Sequence, residues 1–236
     1  VLIQPLDVSQ TIAAVVEGVS GGRYSEARLD TSVRRILVSK HRLGLAARRT
    51  VDLDSVRALV GREDHRRSAD RIAERSITLV RDSLGQLPLQ RLPRTARVLS
   101  VTYARRTDLA AGAAFDAELR SVFTRLRSEV VNADDAAPDF SRLVRVADSV
   151  DVVIVSSYVS HAWDATTAAA PRGFVDFVRQ LVTRGRRPIV VAMGNPYLLR
   201  QVPAVPAYLV AWGGFPVSQQ AAARALLGKS EITGRL

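Results

Sequence analysis

"DVVIVSS", Asp151–Ser157, sets four consecutive β-branched residues between an acid and two serines. The run is too short and too β-branched for a helix of ordinary length, and it does not alternate with polar residues. It predicts a strand buried on both faces, as in a parallel sheet covered by helices. Three further stretches carry the same signature: "VLSVTY" (Val98–Tyr103), "PIVVAMG" (Pro188–Gly194) and "AYLVAWG" (Ala207–Gly213). Between them lie helical stripes, one through Phe115, Leu119, Val122, Phe123 and Leu126 and another through Phe174, Phe177, Val178, Leu181 and Val182. Alternating strand and helix predicts an α/β fold over residues 97–236, a doubly wound, mostly parallel α/β/α sandwich. Such sheets place their functional loops at the carboxyl ends of the strands.

Upstream the pattern changes. "VLIQPLD", residues 1–7, reads as a strand. A helix follows, with Asp7 and Gln10 in capping-box spacing and Ile12, Val15, Val16 and Val19 as its buried face. "SGGRYS" breaks it, and a second helix carries Leu29, Val33, Ile36, Leu37 and Leu43 on one face. Lys40, His41 and Arg42 fall in its last turn, where cations oppose the helix dipole, and Gly44 follows as a left-handed cap. "AARRTVDLD", residues 46–54, has no apolar period and reads as a linker, with Asp52 or Asp54 capping a short helix through Val56 and Leu59. The organisation expected is therefore a strand-helix-helix segment over 1–47, a linker and lead-in over 48–96, and the sandwich over 97–236.

Composition bounds the function. The 236 residues are 47% hydrophobic and contain no cysteine, which excludes a disulfide framework, thiolate metal ligands and a cysteine nucleophile. The net charge of +11 comes from 34 basic residues of which only Lys40 and Lys229 are lysine, and the arginines are scattered through almost every segment. Nucleic-acid binding calls for a concentrated basic stripe, and neither zinc-finger spacing nor an RNA-binding strand signature is present, so no nucleic-acid partner is expected. No apolar run approaches the roughly 20 residues of a membrane span. The opening on "VLIQPLD" without an initiator Met suggests a chain cut from something longer.

Candidate chemistry is sparse. His41, His65 and His161 lack metal-binding spacing, no G-x-S-x-G elbow exists, and "WGGFPVS" (Trp212–Ser218) lacks the spacing and Lys of a phosphate loop. No metal or cofactor is expected. Asp134, Asp135 and Asp139 precede a helix, where capping is the simpler role. "MGNPYLLRQVP" (Met193–Pro203) reads as turn-making, with Asn195 bonding the local backbone and Pro196 opening a helical turn. The loop "SSYVSHAWDATTAAAPRG" (Ser156–Gly173) is longer than most α/β connections and gathers Tyr158, His161, Trp163 and Asp164. Flat aromatic faces beside hydrogen-bonding tips suit a sugar, which makes His161, Trp163 and Asp164 the candidate substrate-binding residues. Docking on a neighbouring domain is the other reading of the same loop.

The order of segments adds a resemblance. Residues 1–45, ending in a basic helix and Leu-Gly-Leu, resemble the end of the catalytic (β/α)8-type barrel in glycoside hydrolase family 3. "ERSITLVRDSLGQLPL" (Glu74–Leu89) is similar to the segment that leads these enzymes into their second, α/β sandwich domain. "GNPYLLRQVPAVPAYLVAWGG" and "AAARALLGKSEITGRL" look like its later part in bacterial two-domain β-N-acetylhexosaminidases and β-glucosidases. The resemblance implies retaining hydrolysis of terminal β-linked sugars, with a β-linked sugar and the missing barrel domain as partners. It implies too that the nucleophilic aspartate and the barrel loop bearing an Asp-His acid/base pair lie outside this chain. No catalytic residue is therefore assigned, and the chain alone is expected to be inactive. A non-catalytic accessory or carbohydrate-binding module is the alternative, and either way Ile12, Val16, Ile36 and Leu37 should be exposed.

Overall fold

The computed structural model describes residues 2–135, 138–158 and 170–236. It divides into two compact units, Val1–Arg62 and Glu63–Leu236. In the first, α1 (Val8–Ser20) and α2 (Glu26–Arg42) are followed by the short α3 (Leu53–Leu59). Each start is capped by a side-chain oxygen: Asp7 accepts from Gln10 N at 2.8 Å, Ser25 from Arg28 N at 3.2 Å, and Asp52 from Ser55 N at 3.2 Å. The end of α2 closes in a Schellman motif, with Leu45 N donating to Lys40 O and Gly44 N to His41 O across a Gly44 φ of 69°.

Two expectations for this unit need correction. Residues 2–7 form no strand, because an extended run gains little without a ladder partner and this unit contains no second strand among the described residues. The α1 face also is not uniformly buried: Val15 and Val19 are half-buried, whereas Ile12 and Val16 are 60% and 58% exposed. With Ile36 and Leu37 at 36% and 58%, the four side chains expected to be exposed are so.

The second unit is the sandwich. After α4 (Glu63–Ser76) come β1 (Thr78–Asp82), β2 (Arg97–Ala104), α5 (Ala113–Arg120), β3 (Arg125–Asn132), α6 (Phe140–Ala147), β4 (Val152–Ser157), α7 (Arg172–Thr183), β5 (Ile189–Ala192), β6 (Ala207–Val210) and α8 (Pro216–Leu226). The sheet order is β1-β6-β5-β4-β2-β3, parallel throughout except that β1 runs antiparallel to β6. All four runs that predict buried strands are strands of this sheet. Strands β1 and β3 escaped the sequence reading because they are the two edges, where the apolar run is broken by charge. In β3 the residues Arg125, Arg127 and Glu129 alternate with Leu126, Ser128 and Val130. Leu126 consequently belongs to β3 and not to the α5 stripe, which ends in the turn around Phe123.

Side-chain alternation sends each central strand to two cores. Leu99, Val101, Tyr103, Val153, Val155, Val190, Tyr208 and Val210 meet α6 and α7 on one face, where Tyr103 stacks on Phe174 at 4.3 Å and Phe140 on Phe177 at 5.0 Å. Val98, Ile154, Val191 and Leu209 meet α4, α5 and α8 on the other, through Ala73, Phe115, Leu119 and the alanines of α8. That helix can lie close because Ala221, Ala222, Ala223 and Ala225 present little volume. Arg224 on α8 bonds Glu118 of α5 at 3.1 Å and Glu74 of α4 at 3.5 Å, tying the three helices of this layer.

Candidate functional site

Parallel strands deliver their following loops to one edge, so the segments after β2, β3, β4, β5 and β6 meet at the carboxyl side of the sheet. Tyr158, the first residue past β4, lies there with 7% of its surface exposed, and its backbone N donates to Tyr103 O at 2.8 Å. Burial raises the pKa of its hydroxyl above the ordinary phenol range, so it stays protonated. The loop after β6 crosses against this ring: a Cβ at Gly214 would come 3.0 Å from it, so the ring would have to give by a few tenths of an ångström to admit a side chain there.

Gln219, fully buried on α8, organises the edge. Its Oε1 accepts from Ala114 N at 3.1 Å and Phe115 N at 3.3 Å, two amides at the start of α5. Its Nε2 donates to Ala110 O at 2.9 Å and Gly214 O at 2.7 Å. One amide side chain thereby joins the post-β2 loop, the α5 N-terminus and the post-β6 loop. The sequence offered only a weak hint, a glutamine inside the alanine-rich stripe of α8.

Four acids at or near this edge are engaged structurally. Asp134 accepts from Arg106 N at 2.9 Å, and Asp135 pairs with the Arg106 guanidinium at 3.0 Å, so these two join the loops after β2 and β3. The capping expected of them holds for Asp139, which accepts from Arg142 N at 2.9 Å at the start of α6. Asp116 is buried, with Ser100 Oγ donating to it at 2.6 Å. The post-β5 loop behaves as a turn, Asn195 Oδ1 accepting from Tyr197 N at 2.9 Å ahead of a 3-10 turn over Pro196–Arg200. Among the described residues no cluster of three His, Cys, Asp or Glu side chains can hold a metal, and no helix is long and apolar enough to cross a membrane.

His161, Trp163 and Asp164 lie outside the described residues. Both ends of their loop are placed: Tyr158 leaves β4 at the carboxyl edge, and Ala170 enters α7 held by a two-way amide contact with Gln201, N to Oε1 at 2.9 Å and Nε2 to O at 3.0 Å.

Residues 77–236, which include every strand of the sheet, match the glycosyl hydrolase family 3 C-terminal domain. The chain belongs to glycoside hydrolase family 3. Within that family, a periplasmic beta-glucosidase/beta-xylosidase of Dickeya chrysanthemi is 40% identical over 79 residues, covering 34% of this chain and 12% of that protein. A beta-N-acetylglucosaminidase/beta-glucosidase of Cellulomonas fimi is 28% identical over 233 residues, covering 92% of this chain and 40% of that enzyme. A solved family 3 beta-N-acetylglucosaminidase from Paenibacillus sp. shares the fold, with a TM-score of 0.66 at 23% identity over 94% of this chain and 41% of its own. The family 3 chain described here thus spans well under half the length of these relatives.

Proposed function

We propose that this chain is part of a glycoside hydrolase that cleaves terminal β-linked sugars, β-N-acetylglucosaminides or β-glucosides, by a retaining mechanism whose catalytic aspartate lies outside these 236 residues. Membership in family 3, with the sandwich matched over residues 77–236, carries the reading. Retaining hydrolysis needs two catalytic groups flanking one bond, with paired carboxyls roughly 5–5.5 Å apart. At the described carboxyl edge Asp116, Asp134, Asp135 and Asp139 are already bound to Ser100, Arg106 and the α6 backbone. In this reading residues 1–47 are the end of the catalytic barrel domain, 48–96 the linker and lead-in, and 97–236 the C-terminal sandwich. The apolar side chains exposed on α1 and α2 suit a helix pair whose partner is the rest of a barrel.

His161, Trp163 and Asp164 are proposed as substrate-binding residues, since their loop leaves and rejoins the described fold at the carboxyl edge. The test is hydrolysis of aryl β-glucosaminide and aryl β-glucoside by the 236-residue chain and by the enzyme carrying its upstream coding region. Turnover by the longer protein alone is expected. Robust turnover by the short chain would overturn the assignment of the nucleophile elsewhere, and none by either would favour a non-catalytic carbohydrate-binding module. In the longer enzyme, alanine at Trp163 or Asp164 should raise KM more than it lowers kcat, because binding is what it removes.

A further inference from the structure

The strand β3 closes one side of the sheet, and among the described residues it pairs with β2 alone. Its backbone bonding follows from the carbonyls of β2. Those of Arg97 and Tyr103 accept from Asp151 N at 2.9 Å and Tyr158 N at 2.8 Å on the β4 side, whereas that of Ala104 accepts from Ala133 N at 2.7 Å on the β3 side. Each strand residue directs its own N–H and C=O to one side and its neighbours direct theirs to the other. Counting back from Ala133, Arg125, Arg127, Glu129 and Val131 bond to β2, which leaves the N–H and C=O groups of Leu126, Ser128 and Val130 directed away from the sheet.

Charges on an edge strand ordinarily block its pairing with another chain. In β3 they alternate in sign about Ser128, which makes them complementary to a second copy. An antiparallel pair centred on Ser128 sets Arg127 of one copy opposite Glu129 of the other, Leu126 opposite Val130, and Ser128 opposite itself. Every outward N–H and C=O of these three residues then meets its counterpart in a hydrogen-bonded pair. Moving the centre one residue either way sets Glu129 against Glu129 or Arg127 against Arg127, and like charges directly opposite are destabilising, so charge selects the register. The side chains are already arranged for it: Glu129 is held by Arg127 at 2.7 Å and Arg142 at 2.8 Å, and Arg120 donates to Ser128 Oγ at 2.6 Å. Val130 is 70% exposed although its neighbour Val131 is buried, and Leu126 of a second copy would cover it.

We infer that β3 is a self-complementary edge through which two copies of this chain join their sheets antiparallel about a twofold axis at Ser128. The contact is independent of the sugar chemistry proposed above.

The test uses the 236-residue chain with Ile12→Ser and Leu37→Ser, which reduces association through the exposed apolar side chains of α1 and α2. Sedimentation equilibrium up to about 200 µM should show a monomer–dimer equilibrium with Kd in the micromolar range, weakened about tenfold or more by Val130→Lys at unchanged Tm. The register is read by cross-linking, because the chain has no cysteine and Ser128→Cys supplies a single thiol. Facing Cα atoms in a hydrogen-bonded antiparallel pair lie about 5.5 Å apart, within disulfide reach, so copper-phenanthroline oxidation should yield a covalent dimer. Val130→Cys should yield little, since its two copies are offset by four residues and lie more than about 10 Å apart. A monomer at the highest concentration would overturn the inference, as would a dimer indifferent to Val130→Lys. Cross-linking at Val130→Cys equal to or above that at Ser128→Cys would overturn it as well.

Discussion

Gln219 shows how much one side chain contributes at the residue scale. It makes four hydrogen bonds with no exposed surface, so its removal leaves buried amides and carbonyls without partners, each costing about 1–3 kcal/mol less whatever water recovers. Gln219→Ala should lower stability by about 3 kcal/mol in urea unfolding, and Gln219→Glu should not restore it, since a carboxylate cannot donate to Ala110 O and Gly214 O. Glu129 answers a different question. Hydrogen bonds from Arg142 and Arg127 hold its pKa at about 2, below the usual carboxylate range. A depressed folded-state pKa adds stability above the unfolded value and loses it as pH falls toward the folded one. The gap in unfolding free energy between the parent and Glu129→Gln should therefore be full at pH 7 and shrink between about pH 5 and pH 2. A gap that stays constant over that range would refute the ion-pair assignment.

Helix ends carry the next level. The α2 helix stops where Gly44 turns left-handed, and no heavy atom outside its immediate neighbours lies within 4 Å of a Cβ built there, so Gly44→Ala isolates the backbone penalty from any clash. That penalty is about 1 kcal/mol, and Asp7→Ala at the start of α1 should cost a similar amount through the lost cap. Both should appear as faster amide exchange in residues 8–42 and leave the sheet unaffected. Core elements respond on a larger scale: Phe177 is fully buried and stacked on Phe140 at 5.0 Å, so Phe177→Ala should cost about 3–5 kcal/mol.

Over the whole molecule, the contrast is between a well-buried sandwich and helices that leave apolar side chains in water. Ile12, Val16 and Leu37 are more than half exposed, while Val98, Leu99, Val101, Ile154, Val190 and Leu209 have no exposed surface. Replacing Ile12 and Leu37 by Ser in the 236-residue chain should reduce dye binding to apolar surface and concentration-dependent aggregation, with little change in Tm. If instead Tm falls by many degrees, these side chains are core, and the reading of α1 and α2 as helices awaiting a partner fails.

What the sequence determined by itself was whatever local chemistry dictates. Four short, nearly continuous apolar runs meant strands buried on both faces, and Asp7 and Gly44 marked helix ends. Edge strands β1 and β3 were illegible because an edge buries less and tolerates the charges that interrupt an apolar run, and Leu126 was misassigned for the same reason. The strand order, the antiparallel β1 and the meeting of Gln219 with Ala110, Ala114, Phe115 and Gly214 were decided only in three dimensions. Contacts between residues up to 150 positions apart leave no periodic trace in the chain. They arise from how two helical layers close on a twisted sheet, which no local spacing encodes.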